Sequence, residues 1–559
     1  MSGIRVVIVG GVAGGMSAAA RLRRLDEHAQ ITVLERSGNV SFANCGLPYF
    51  VGGLIEAEED LTLQTPEQLF DRFRLDVRVH CEAVAIDRDA HVVTARSTAT
   101  GELATIPYDR LVLSTGAAPV RPPIPGYDLV RTLRTVEDAA RLAAQAGLEP
   151  RHAVVIGAGF IGLEVAENLV NRDISVTIVE AAPQVLTPLD PELAILVADE
   201  LAGHGVRIET GATVASIDAR SVTLADGRAL PADLVVGAIG IRPDTGLAAS
   251  ARLELGPNGG IRVDDANRTS DPDIYAVGDV VEKADAVSKA TSLIALANVA
   301  NRQGRRVADH IAGRRGHAVP SLGTAIVKVF DLVVATVGWN ERRLVAAGRP
   351  YQAIHSHPFD HATYYPGATR MAAKLLFDPD DGTILGAQIV GRNGVDKRID
   401  VIATAMTAGL TAAQLADLEL AYAPPFSSAK DPVNLLGYMA ENVLSGDCDI
   451  VHPDELPALL DAGWRLLDVR SAAEHDAGAI PESANVPLDD LRDRLADVGP
   501  GPVVVYCEVG QRGHTATALL LELGISARNL DGGYCTWLAS TRAQEHGHPF
   551  AMPSLGAAG

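Results

Sequence analysis

The chain has 559 residues, 47% of them apolar and 21% charged, which at about 150 residues per domain points to three or four globular domains. Seventy acidic against 48 basic residues leave a net charge of −22, which argues against general nucleic-acid binding and against docking on an anionic membrane. No apolar run reaches the ~18 residues of a membrane span, and five widely spaced cysteines, an odd number, do not make a disulfide framework.

The first strand-like run, Ile4 to Gly10, begins almost at the first residue, with no room for a signal peptide ahead of it. The expectation is a cytoplasmic α/β protein of a reducing compartment, with no membrane or nucleic-acid partner. Residues 4–36 read strand, glycine turn, helix, strand and acid. Residues 151–180 repeat the plan, each stretch forming a βαβ unit of about 30 residues, the mononucleotide-binding arrangement. Between them lies a mixed stretch ending in STGAAPVRPPIPG (114–126). A strand-rich run and TSDPDIYAVGD (269–279) follow the second unit, so the second unit reads as inserted into the first domain. Strands are expected at Thr324–Phe330 and Thr383–Val390, and a helix from about Asp396 to Ala408. SGDCDIVHPDE (445–455) reads as a linker. Residues 456–550 read as a compact α/β unit with strands at WRLLDVR and VVVYC and a helix at HTATALLLELG.

Gly157, Gly159 and Gly162 satisfy G-x-G-x-x-G after a strand and before a helix, with Phe160 in the loop as a further cofactor contact. The first glycine allows a tight turn, the second lets the backbone approach a pyrophosphate, and the third lets helix pack on strand. The helix N-terminus then meets the phosphates. Glu180 ends the next strand, where its carboxylate would accept a bond from a ribose 2′-hydroxyl and repel a 2′-phosphate. No arginine follows in AAPQ, so NADH is favoured over NADPH. In the first unit Gly10, Val12 and Gly15 hold the three positions, with Gly11, Ala13 and Gly14 completing the loop. Glu35 supplies the ribose acceptor, with Arg36 beside it. One nucleotide unit interrupted by another suggests one bound flavin and one exchanging nicotinamide.

With these units, STGAAPV and YAVGD (275–279) resemble the flavin-contacting motifs of the FAD-dependent pyridine nucleotide-disulfide reductases, over residues 4 to about 320. The resemblance implies that Asp279 bonds the ribityl chain and that the Ser114–Ala117 backbone, with Thr115 and Gly116, passes close to FAD. Disulfide reductases of the glutathione reductase type carry C-x-x-x-x-C after the first unit. Here Cys45 stands alone in SFANCGLPYF, with Phe50 where a second cysteine would be. A single cysteine forms a mixed disulfide, a persulfide or a sulfenic acid, not an internal dithiol. SFANCGLPY and GGVAGGMSAAARLRR resemble coenzyme A-disulfide reductases, which implies that Cys45 is the redox cysteine and that Ser17, Arg21, Arg24, Ser41 and Asn44 line a coenzyme A channel. Arg21 and Arg24, at i and i+3, share a helix face suited to phosphates. The glycine loop lacks the histidine typical of the NADH peroxidases and oxidases of this branch.

HATYYPG (361–367) and AYAPPFSSAKDPVN (421–434) match the same family's dimerisation domain. This implies a homodimer in which Tyr422, and Tyr364 or Tyr365, reach the partner subunit's cysteine site, and in which Lys430 meets a coenzyme A phosphate. Cys507–Arg512 forms C-x-x-G-x-R between a strand and a helix. With LLDVRSAAEHDAGAIPESANVPL (466–488) and NLDGGYCTW (529–537) it resembles the single-domain rhodaneses. Backbone N–H groups of such a loop, the helix N-terminus and Arg512 stabilise a thiolate or persulfide on Cys507. Cys81, Cys448 and Cys535 have no such setting, although Cys535 could serve as a resolving thiol, and no Cys/His spacing fits a zinc site.

The expected architecture is α/β: two Rossmann-like domains, an α+β dimerisation domain and a C-terminal rhodanese α/β domain. The expected boundaries are FAD-binding 1–150 and 241–320, NAD-binding 151–240, dimerisation 321–445, linker 446–455 and rhodanese 456–559. The whole resembles the coenzyme A-disulfide reductase–rhodanese fusions, which implies NAD(P)H-dependent reduction of persulfide, polysulfide or coenzyme A disulfide. The other readings are a plain coenzyme A-disulfide reductase with an accessory rhodanese, an NADH oxidase or peroxidase, and a flavin-bound redox sensor.

Overall fold

Continuous rather than alternating apolar runs mark strands covered on both faces. Arg5–Val9 is such a strand, buried from Val6 to Val9. It lies at the centre of a parallel five-stranded sheet in the order Ile274–Ala276, Arg110–Leu113, Arg5–Val9, Gln30–Leu34 and Asp76–Arg78. On one face Val6 and Ile8 pack with residues of the paired helices Ala13–Leu25 and Ala297–Ile311. On the other, Val7 and Val9 pack with the antiparallel strands Cys81–Asp87, Val92–Ser97 and Leu103–Pro107.

The computed structural model describes residues 3–547, apart from residues 149 and 317. The outermost residues of the expected end domains, 1–2 and 548–559, lie outside the described residues. The chain divides into two compact units, Met1–Val179 with Gly205–Gly323, and Glu180–His204 with Thr324–Gly559. The first unit also holds a second parallel sheet, ordered Arg207–Glu209, Ser175–Val179, His152–Ile156 and Leu234–Gly237, with the helix Phe160–Val170 against it. Ala117–Pro119 pairs antiparallel with Ile241–Pro243, so the chain leaves the first sheet and returns to it side by side. Within the expected block 151–240, Glu180–His204, with the helix Pro191–Gly203, groups with the second unit. This helix packs against helix Gly533–Glu545, and Asp190 and Glu192 are buried beside Lys374.

The second unit holds an antiparallel sheet ordered Ala325–Val329, Leu332–Gly338, Ile384–Gly391, Met371–Phe377 and Gln352–Ser356. Helix Val395–Ala408 packs on it. A further helix, Pro432–Leu444, starts on Asp431, whose side chain accepts from Val433 N, with Pro432 at its first position. The last sheet is parallel, ordered Ile450–Val451, Ala527–Leu530, Val503–Tyr506, Arg465–Asp468 and Ala484–Asn485. Part of the stretch expected as a linker, 446–455, is paired into this sheet. Ile450 and Val451 pair with Asn529 and Leu530, and Cys448 is buried. A two-residue edge strand is too short to show a period in sequence.

Candidate functional site

In the first glycine loop Gly10 has φ +103°, and a Cβ there would fall 2.1 Å from Ser114 O. A Cβ on Gly15 would fall 2.0 Å from Gly10 O, so helix and strand meet without a side chain between them. Helix Ala13–Leu25 opens with no side-chain cap and no acid in its first turn, which leaves its end positive. Buried Glu35 accepts from Gly11 N at 2.8 Å and from Ser37 N and Oγ at 2.9 Å. A cavity of about 530 Å³ is lined by Gly10, Glu35, Arg36, Asn44, Thr115 and Gly116, residues from four separate sequence segments. Arg36 reaches Asp244 at 3.1 Å, and Thr115 Oγ1 donates to Asp244 O. Asp279 accepts from Arg134 at 3.2 Å, and Arg134 also lines the cavity. Glycine cradle, buried acid and cavity together fit a flavin dinucleotide.

The second glycine loop divides its glycines by role. Cβ atoms on Gly157 and Gly162 would fall 2.5 Å from Ala238 O and 2.1 Å from Gly157 O, so both serve packing. A Cβ on Gly159 would meet nothing within 4 Å, and Gly159 precedes the uncapped helix that starts at Phe160. That open space at an uncapped helix N-terminus fits a second dinucleotide. Glu180 follows the strand Ser175–Val179, and its Oε1 accepts from Ala182 N at 2.7 Å.

Cys45 lies in the 3₁₀ turn Asn44–Gly46, ahead of helix Leu47–Gly52. Ser41, in the left-handed region at φ +50°, donates its N–H to Gly11 O at 2.8 Å, which ties this segment to the glycine loop. Helices Leu47–Gly52 and Phe160–Val170 pack together, and Tyr49 Oη donates to Glu164 Oε1 at 3.4 Å. Burial pushes the Glu164 carboxyl up to about 7, against the pull of the Tyr49 bond. Cys45 is exposed as a residue, yet partial burial of its sulfur, followed by the charges of Glu164 and Asp279, pushes the thiol up, while Arg134 pulls it down. Glu164 and Arg134 were not legible as site residues, since nothing in their own segments points to a cysteine.

Ser17 Oγ donates to Asn301 at 2.8 Å. Of the two arginines expected to face phosphates, Arg24 is exposed, whereas Arg21 is paired with Asp309 on helix Ala297–Ile311 at 2.7 Å. Arg23 between them is buried and donates to the carbonyls of Phe73, Asp26, Glu27 and Arg74. In the second unit the hydroxyls of Tyr364 and Tyr422 meet at 2.7 Å, both side chains exposed. Tyr365 turns its ring edge-on to His361 instead. Exposed Lys430 lies 5.9 Å from the centroid of the Tyr438 ring.

Cys507 is fully buried at the end of strand Val503–Tyr506, and Gly510 at φ +90° turns the chain into helix Gln511–Glu522. Arg512 faces the sulfur and pairs with both oxygens of Glu474, at 2.6 and 2.8 Å, which holds that carboxyl well below its usual range. Glu474 also closes a capping box with Ser471, a pattern legible in S-A-A-E although its arginine partner was not. The loop backbone is held from the other side, where Tyr534 N donates to Cys507 O at 2.8 Å and Cys535 N to Glu508 O at 3.0 Å. Cys535 Sγ donates to Glu508 Oε1 at 3.4 Å, and burial with the Glu508 charge pushes this thiol up to about 12, so it stays protonated. Cys448 is likewise pushed up to about 11 by burial, and Cys81 is raised for the same reason. Among the described residues no helix is long and apolar enough to cross a membrane.

Comparison with known proteins agrees with this geometry. Residues 4–304 match the pyridine nucleotide-disulphide oxidoreductase family, 324–432 its dimerisation domain and 452–540 the rhodanese-like domain. A coenzyme A disulfide reductase of Staphylococcus haemolyticus is 34% identical, over 78% of this chain and all of its own. The structure of reduced Bacillus anthracis CoADR-RHD shares 45% identity at a TM-score of 0.95, covering 97% of this chain and 99% of its own. An NAD-dependent persulfide reductase from A. fulgidus shares 38% identity at a TM-score of 0.90, covering 96% and 100%. With a flavin cradle, a nicotinamide cradle, a dimerisation domain and a rhodanese-like unit in one polypeptide, the chain belongs to the pyridine nucleotide-disulphide oxidoreductase family.

Proposed function

We propose that the protein is an FAD-dependent NAD(P)H:persulfide and coenzyme A-disulfide reductase that works through one cysteine, Cys45, and carries sulfane sulfur on another, Cys507. The observation that supports it best is an exposed Cys45 with no second cysteine at Phe50, in the unit that holds both dinucleotide cradles. The Cys45 thiolate attacks a sulfur of the substrate. A coenzyme A disulfide leaves a Cys45–coenzyme A mixed disulfide and one coenzyme A thiolate, and a coenzyme A persulfide leaves the same mixed disulfide and hydrosulfide. FAD, when bound, supplies the two-electron link between nicotinamide and that disulfide. Gly10, Gly11, Ala13, Gly14, Gly15 and Glu35 would hold its adenosine diphosphate, and Asp279 its ribityl chain. Gly157, Gly159, Phe160 and Gly162 would hold the nicotinamide dinucleotide, with Glu180 selecting NADH. Arg134 opposes the two carboxylates around Cys45 and so favours the attacking thiolate.

The protein acts as a homodimer in a reducing compartment, the cytoplasm, where its free cysteines stay reduced. The hydrogen-bonded Tyr364–Tyr422 pair, rather than Tyr365, faces the partner subunit's Cys45 and steadies the departing thiolate. Ser17, Arg24, Ser41, Asn44 and Lys430 contribute to coenzyme A binding. Arg512 and the loop N–H groups stabilise the Cys507 persulfide anion. A sulfur-carrying unit has no use in reducing a plain disulfide, which favours persulfide and polysulfide as substrates. The test is NADH consumption with coenzyme A disulfide, coenzyme A persulfide, polysulfide, peroxide and oxygen. Turnover with the sulfur acceptors, faster with NADH than NADPH, is expected. Turnover with peroxide or oxygen alone would overturn the reading.

A further inference from the structure

The mechanism makes no use of a buried ionic network in the second unit. Its centre is His355, on strand Gln352–Ser356, which meets Asp531 twice: the backbone N–H donates to Oδ1 at 2.9 Å and ring Nδ1 lies 2.5 Å from Oδ2. Ring Nε2 lies 3.0 Å from Glu192 Oε1, on helix Pro191–Gly203. Glu192 Oε1 also accepts from Lys374 Nζ at 2.6 Å, and Lys374 reaches Asp190 and Glu341 at 3.0 and 3.1 Å. His355, Asp531, Glu192 and Lys374 are all buried. A histidine with a carboxylate oxygen at each ring nitrogen needs a proton on both, so His355 is an imidazolium here.

Asp531 is followed by Gly532 and Gly533, both left-handed, at φ +64° and +61°. A Cβ on Gly533 would fall 2.4 Å from Cys507 O and 2.8 Å from Gly510 N, and one on Gly532 would fall 2.9 Å from His355 Cβ. This turn therefore lies directly between His355 and the Cys507 loop. It leads into the N–H groups of Tyr534 and Cys535, which hold the carbonyls of Cys507 and Glu508.

We propose that His355 is a positioning residue for sulfur transfer: by gripping both oxygens of Asp531 it sets the Gly532–Gly533 turn that shapes the Cys507 loop. The proposal rests on the reading of Cys507 as the sulfur carrier. It makes that carrier dependent on a strand outside the rhodanese-like unit, so the unit is not a free-standing attachment.

The groups facing His355 decide its charge. Burial pulls its protonation down, but Asp531 and Glu192 outweigh that and push it up to about 9. His452, 3.3 Å from Asp531, is itself raised by that carboxylate against burial. Lys374 opposes, and His357 on the same chain segment is pushed down to about 4 by burial and so is neutral. The folded value lies above the unfolded value of about 6.5. Both ring bonds are therefore in place below about pH 6.5; as the pH rises through about 9 the neutral ring keeps a single N–H, one of the two carboxylates loses its ring donor, and only the backbone N–H bond to Asp531 is unaffected by pH.

The experiment compares the full-length holoenzyme with its His355→Asn and His355→Gln variants. Asparagine keeps a donor where Nδ1 meets Asp531, and glutamine keeps one where Nε2 meets Glu192. Polysulfide loading of Cys507 is followed by mass spectrometry from pH 6 to 10, with NADH-driven reduction of coenzyme A disulfide as the folding control. His355→Gln should load about tenfold more slowly, and His355→Asn within about twofold of wild type and without the alkaline fall. Both should reduce coenzyme A disulfide at the wild-type rate. Wild-type loading and pH profile in both variants would overturn the proposal, as would joint loss of loading and disulfide reduction. If wild-type Cys507 takes up no sulfur, the carrier reading itself fails.

Discussion

The two cysteines assigned to sulfur chemistry have opposite surroundings. Cys45 is exposed as a residue, on a short turn, with partial burial of its sulfur and then the carboxylates of Glu164 and Asp279 raising its thiol and Arg134 countering them. Cys507 has no exposed surface and lies in a loop that runs into a 12-residue helix, with Arg512 facing the sulfur. An exposed sulfur suits exchange with a substrate as large as coenzyme A disulfide. An enclosed one suits holding a single added sulfur atom away from stray thiols. On the proposed reading, the contrast fits two thiols suited to different steps rather than a primary site and a copy.

Four substitutions break or sharpen that contrast. The largest effect belongs to Cys45→Ser, which should abolish NADH-driven reduction of every sulfur acceptor while FAD stays bound and is still bleached by NADH, a change read by absorbance. Next, Cys507→Ser should leave coenzyme A disulfide turnover intact and remove sulfane-sulfur transfer. The gain of about 32 Da on its peptide after polysulfide, reversible by reductant, should vanish too. Equal loss of both activities would mean that the two cysteines do not divide the work.

Gly159→Ala acts upstream of both. Its Cβ has open space in the protein, so melting temperature should hold, but the added methyl would crowd the pyrophosphate. The KM for NADH should rise about tenfold, equivalent to roughly 1.4 kcal/mol of binding. An unchanged KM would place the dinucleotide elsewhere.

The smallest effect is confined to Cys45. Glu164 is pushed up to about 7, so it is neutral below that pH and charged above it. A carboxyl raised from its unfolded value of about 4.3 costs stability as the pH rises from there through about 7. Glu164→Gln removes that charge. Alkylation of Cys45 at pH 8 should quicken about two- to threefold, with no change at pH 5.5, and Cys507 should not respond. A Cys507 response would mean that the two environments are coupled.

Both glycine loops, the lone Cys45 and C-x-x-G-x-R were legible because each is a local pattern whose spacing is its geometry. What the sequence does not show is a partner that is remote along the chain. Arg21 and Arg24 share a helix face, but Asp309 claims Arg21 from another helix. Tyr364 and Tyr365 are adjacent and chemically identical, and only the Tyr422 hydroxyl, 58 positions away, separates them. The stretch read as a linker contains a two-residue edge strand because Asn529 and Leu530 offer it a ladder.

Sequence alone therefore determined the dinucleotide cradles, the isolation of Cys45 and the rhodanese-like loop, since glycine conformations and helix starts depend on neighbours within a few residues. Tertiary structure decided the charges around those motifs. Glu164 comes to Cys45 from the second βαβ unit, and His355 reaches Asp531 across 176 positions. Hydrophobic periodicity records which face of an element is buried. It carries no record of which buried carboxylate meets which distant cation, because that pairing forms only when separate elements pack and exclude water.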